Sequence, residues 1–198
     1  DGDLDEGVTG FELRRAKFQP HGHVTLGGRK INFFLSLEGD QERDPGDGFD
    51  NDKIFEDYYV ETEILPEMLP GLMLRGGRFR QPFGVQNLTD ASHQMAVDRS
   101  MVSEFFRVDR SEGVQASWQS DMVRLTGAVN DGVNAIGDDF AGDATDFAFT
   151  GRAEVKLMGE WGQFNDPGVA WSGEPQALMV GAAAHYEEGE TGFPVRFN

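Results

Sequence analysis

The 198-residue chain has no cysteine, three tyrosines, three tryptophans, and only 17 basic residues against 35 acidic ones. Without cysteine there is neither a disulfide framework nor a thiolate metal site. No stretch approaches the ~20 consecutive apolar residues of a membrane-spanning helix, so only strands could carry this chain across a bilayer. The net charge of -18 excludes nucleic acid as a partner, because phosphate backbones are bound by basic surfaces. Also missing are Gly-x-Ser-x-Gly, His-Glu-x-x-His and a glycine-rich phosphate loop opening a helix, so nothing calls for an enzyme or a cofactor.

The acidity is local. Asp and Glu number four in residues 1–6, six in 40–52, five in 131–146 and three in 187–190, and those stretches hold one base, Arg43. They carry -17 of the -18, leaving the rest of the chain nearly neutral.

What is abundant is alternation. In residues 145–161, TDFAFTGRAEVKLMGEW, the residues Phe147, Phe149, Ala153, Val155 and Leu157 share one parity, whereas Thr150, Arg152, Glu154 and Lys156 share the other. Successive side chains of a strand point to opposite faces, so one face is apolar and the other charged. The pattern returns with Ile31, Phe33, Leu35 and Leu37 against Asn32, Ser36 and Glu38, and with Val123, Leu125 and Val129 against Arg124, Thr126 and Asn130. Period-two segments bounded by turn residues predict about eight strands, near 11–26, 30–39, 53–65, 72–82, 110–120, 122–130, 145–158 and 176–187. One short helix is expected within TDASHQMAVDRSMVSEFF.

The connections alternate in length. GGR, PEMLPG and SD are short; DQERDPGDGFDND, the segment from PFGVQ to FFRVD, and DGVNAIGDDFAGDA are long. GEWGQFNDPGVAWSGEP falls on the short side but is unusually long. Tight turns at one end and long polar loops at the other are the pattern of an outer-membrane barrel, whose apolar parity faces lipid and whose polar parity faces an aqueous lumen. The fold class expected is therefore all-β, an antiparallel transmembrane β-barrel of porin type. The alternative is a soluble all-β binding module whose apolar faces pack on one another, with acidic loops that bind calcium. For the latter, Asp44, Asp47, Asp50 and Asp52 supply oxygens, but their spacing is not that of an EF-hand, and a solvated acidic loop is the simpler reading.

GFELRRAKF at 10–18, LMLRGGRFRQPFG at 72–84 and VDRSMVSEFF at 97–106 resemble, in order and spacing, motifs of the phosphate-selective porin O and P family. The resemblance spans roughly residues 10–130; Asp98 stands where the family's acidic-Arg-Ser motif often has Glu. It implies a sixteen-stranded homotrimeric channel of the bacterial outer membrane, embedded in lipid and lipopolysaccharide and passing small anions such as phosphate. It also implies a loop folded inward, here near 84–108. On this reading residues 1–9 are an acidic tail and 10–187 are barrel strands. Residues 188–198 are then a truncated loop, and the chain, with about half the strands, is a fragment opening on a processed or trimmed end.

The site residues follow from parity and from the resemblance. Arg15 and Lys17, continued by Gln19, His21, His23 and Thr25, form a basic-to-polar ladder facing the lumen, because a basic group at mid-bilayer on the lipid side costs ~2–4 kcal/mol. The same alternation on a soluble sheet would simply be a solvated face. His21 and His23 share a face, but two ligands do not make a metal site. Arg78 and Arg80 flank Phe79 and point away from it; since Leu72 and Leu74 have the arginines' parity, a lumen position requires a bulge at Gly76–Gly77. Their alternative is an interfacial pair snorkelling to headgroups. Arg124, Arg152 and Lys156 lie on polar parities. Ser92, Arg99 and Ser100 are anion-facing by resemblance, although Arg99 could instead lock to Asp98 or Glu104.

Overall fold

A computed structural model describes residues 16–39, 55–89, 100–106, 108–132, 145–165, 175–189 and 195–197. Among these residues ten strands form one antiparallel sheet: β1 (Ala16–Phe18), β2 (His21–Leu26), β3 (Arg29–Gly39), β4 (Phe55–Glu63), β5 (Leu72–Arg80), β6 (Arg110–Gln119), β7 (Val123–Asn130), β8 (Thr145–Met158), β9 (Leu178–Gly189) and β10 (Val195–Phe197). Among the described residues three short helices lie in the connections: α1 (Val85–Leu88), α2 (Met101–Phe105) and α3 (Trp161–Asn165). Each strand from β3 onward pairs with its neighbour in sequence, as a meander of hairpins should, and the sheet is not closed. No helix among the described residues is long and apolar enough to cross a membrane.

The expected strands are present, with two corrections. The segment 11–26 does not run as one strand: Pro20, which has no N–H to donate, separates β1 from β2, and both pair with β3. Val195–Phe197, expected within a terminal loop, pairs instead with Ala184–Tyr186 of β9. The tightest hairpin, Leu26 to Arg29, turns through Gly27 and Gly28 at φ 58 and 79, the left-handed pair that a two-residue turn matching strand twist requires.

Burial is inverted relative to a water-soluble sheet. Val60 is 55% exposed, Leu125 44% and Phe149 47%, whereas Asn130, Thr150 and Glu154 are each 2% exposed. A sandwich would place the first set against a second apolar layer. Here Phe33, Val114, Val129, Val155, Leu157 and Val180 all stand outward. Such a surface is stable only against acyl chains or another apolar partner. β8 with 14 residues, β9 with 12 and β3 with 11 match or exceed the ~9–11 residues that a tilted strand needs to span a bilayer.

Candidate functional site

The polar parity curves around a cavity of about 710 Å³ that takes lining residues from β4 through β9. Four guanidiniums reach it, Arg75, Arg80, Arg124 and Arg152, against two carboxylates, Glu61 and Glu154.

At the β3–β4 end the register shifts between Ser36 and Leu37, and Glu56 is the extra residue. A bulge re-aims the side chains beside it, and two consecutive acids, Glu56 and Asp57, thereby meet the same partner. Arg110 Nε donates to Asp57 Oδ1 at 3.1 Å while its Nη2 lies 3.2 Å from Glu56 Oε1. Lys17 Nζ donates to Glu56 Oε2 at 2.8 Å and lies 3.7 Å from Glu38. Strict alternation assigns Asp57 inward and leaves Glu56 and Arg110 outward, so neither was legible in the sequence.

Next along the sheet, Phe34 stacks on Tyr59 with centroids 5.2 Å apart, and Phe79 meets Tyr59 edge-on at 6.5 Å. Arg75 lies 4.1 Å above the Tyr59 ring and donates to Glu61 Oε2 from Nε at 2.9 Å and Nη2 at 2.7 Å. Arg75 was missed because the bulge expected at Gly76–Gly77 does not exist. β5 pairs with β4 and with β6 without a register shift from Leu72 to Arg80. Arg75 opposite Glu61 and Gly77 opposite Tyr59 therefore take the polar parity. Arg78, opposite Tyr58 and Glu112, takes the other face, where its side chain is buried beside the Tyr58 hydroxyl that donates to Glu112. Gly77 is the reason the run continues unbroken: at φ 132 it brings the backbone so near β4 that a Cβ would lie 2.2 Å from Tyr58 O.

Arg80 reaches the cavity by another route. At the end of β5 its Nη1 donates to the carbonyls of Asn87 at 3.3 Å and Thr89 at 3.4 Å, within the connection that follows. Pro82, Val85, Leu88 and Thr89 line the same cavity as Arg124 and Arg152, so this connection starts by lying over the polar face. Its root is fixed. Phe83 is buried with Val108 and with Ala183 of β9, and its ring stands 6.3 Å from His185. Beneath it runs a chain of buried polar groups. Asn130 Nδ2 donates to Gln81 Oε1 at 2.9 Å and to Thr150 Oγ1 at 3.2 Å, and Thr150 Oγ1 is 2.8 Å from His185 Nδ1. Buried polar atoms need partners, and this chain supplies them across β7, β8 and β9.

A second basic cluster holds Arg124, Arg152 and Lys156. Glu154 accepts from Arg124 Nε and from Arg152 Nη2, each at 2.6 Å, so one carboxylate holds two guanidiniums in charge-assisted bonds. Lys156 lies on the same face, 3.8 Å from Glu160.

Ser100 stands apart from the cavity. Its Oγ accepts from Ser103 N at 3.2 Å as the cap of α2 and donates to Gln86 Oε1 at 2.9 Å, tying α2 to the segment bearing α1. Arg15, Ser92 and Arg99 lie outside the described residues, as do the acidic tail, the 40–52 stretch and most of 131–146.

The sequence profile of the phosphate-selective porin O and P family matches residues 1–187 of the chain. No curated protein matches it.

Proposed function

The chain belongs to the phosphate-selective porin O and P family, an outer-membrane porin family, and on that footing we propose that it serves the passive diffusion of small anions, with phosphate among them. The observation that carries this is the cavity lining of four guanidiniums against two carboxylates. Arginine holds its charge at any physiological pH and presents a planar fork of donors that suits phosphate oxygens. Lined on one wall by arginines and on the other by the segment from Pro82 to Thr89, the cavity is the narrow part of the path. Charges there act on an ion at contact distance, whereas acidic stretches at the mouth are screened over ~8 Å at physiological ionic strength. Mild anion preference follows, weakened by Glu61 and Glu154.

In this reading Lys17, Arg80, Arg124, Arg152 and Lys156 face the pore together with Arg75, and Arg15 continues the ladder from Lys17. Arg78 acts on the outer side. Ser92 and Arg99 present donors from the inward connection, while Ser100 holds its two helices together. The channel works in the bacterial outer membrane as a homotrimer among lipopolysaccharide, with no cofactor and no covalent chemistry. A soluble binding module would leave Phe33, Val60, Val114, Leu125, Phe149 and Val180 facing water, and the outward apolar face speaks against it.

The test is the zero-current potential of the purified channel in a planar bilayer under a KCl gradient, repeated with phosphate added. A potential on the chloride side, and a chloride current reduced by phosphate, are expected. A cation-selective channel indifferent to phosphate would overturn the anion assignment.

A further inference from the structure

The connection between β8 and β9 is unusually long for the short-turn end, and its described part, residues 159–165 and 175–177, lies against the polar face. Its helix α3 is held there from several sides. Trp161 is 8% exposed, and its Nε1 donates to Ser120 O, in the turn between β6 and β7, at 2.7 Å. Gln163 fixes the two sides of the connection: its Oε1 accepts from Glu160 N at 2.8 Å, and its Nε2 donates to Pro175 O at 3.0 Å. Phe164, edge-on to Trp161 at 6.2 Å, joins the lining of the 710 Å³ cavity.

The indole also covers two of the cations on the polar face. The Arg124 guanidinium carbon stands 4.7 Å from the Trp161 ring centroid and Lys156 Nζ stands 5.6 Å from it. On its remaining sides Arg124 bonds Glu154, and Lys156 faces Glu160. A cation seated over an aromatic face is attracted by the ring quadrupole and stripped of the water and counter-ions that would occupy that face. These positive charges are therefore present in the wall with one face of each covered: Arg124 keeps its place in the cavity lining but offers a permeating anion only part of its charge.

We propose that α3 is a second, inward-folded constriction at the short-turn end, and that Trp161 tempers the channel's anion preference by covering one face of Arg124 and of Lys156. The inference rests on the porin reading above and adds to it a residue that lowers anion preference without carrying charge.

Bilayer recordings separate the two ideas. Wild-type protein that forms no channel would end the porin reading itself. Given a conducting wild type, Trp161→Ala is expected to raise the anion-to-cation permeability ratio about two- to fivefold, the span of one cation–π contact at a partly exposed site. Trp161→Phe, which keeps a ring, moves the ratio less. In an Arg124→Gln background, Trp161→Ala is expected to change the ratio much less than it does in the wild type. Should Trp161→Ala not assemble, Gln163→Ala loosens α3 from Glu160 and Pro175 and is expected to shift the ratio in the same direction. An unchanged ratio in the first assembled variant of these two would overturn the proposal. So would a gain that survives Arg124→Gln, since it would show that α3 acts by bulk alone.

Discussion

Arg75 Nη2 lies 2.7 Å from Glu61 Oε2, a cross-strand ion pair between β5 and β4 on the face that lines the cavity. Both side chains are partly exposed, 25% and 18%, so the pair contributes little to stability, of order 1 kcal/mol or less. Its effect falls on the path. A guanidinium held by a carboxylate and an aromatic ring keeps its position but offers a permeating anion only part of its charge.

Removing the carboxylate should release that charge. Glu61→Gln is expected to move the zero-current potential under a KCl gradient toward the chloride equilibrium potential, and Arg75→Gln to move it the opposite way. Shifts of the same sign in both variants would show that the pair does not face the path.

Gly77 tests the register. Any side chain there meets Tyr58 O at 2.2 Å and must adopt φ 132, and the backbone strain alone costs about 1–3 kcal/mol. Gly77→Ala should lower the yield of the folded, heat-modifiable species on electrophoresis, whereas Gly76→Ala, whose Cβ would meet nothing within 4 Å, should leave it unchanged. Equal yields would restore a local bulge and an inward Arg78.

Phe83 anchors the connection that lies over the cavity. Truncation of a fully buried phenylalanine costs about 3–5 kcal/mol, and here that loss falls on the contact with Val108 and Ala183. Phe83→Ala is therefore expected to keep the barrel but raise single-channel conductance and open-channel noise. Quiet currents of wild-type size would mean that the connection is held elsewhere.

Orientation can be read by labelling, helped by a chain with no native cysteine. A single cysteine at Asp47, in a long acidic connection, should react with an impermeant maleimide on intact cells. One at Asp121, in the tight turn before β7, should react only after lysis. The reverse result would invert the assignment of long loops to the outside.

Period-two alternation by itself determined the all-β class, most of the strand positions and the outward apolar face. It could do so because the pleat of a strand is local: residue i and residue i+2 share a face whatever lies beside them. What the alternation could not determine is any position where the parity is reset or a side chain is met by another element. Glu56 reaches the polar side, where it meets Arg110, only where β4 carries its extra residue, and Arg75 displaces Arg78 only because β5 continues in register through Gly77 opposite Tyr59 and Glu61. Phe83 finds Ala183, and Trp161 finds Arg124, across separations of 100 and 37 residues in sequence. Contacts of that kind leave no periodic trace in the chain. They are set by which strands the curved sheet brings to one concave surface, and only the tertiary structure holds that information.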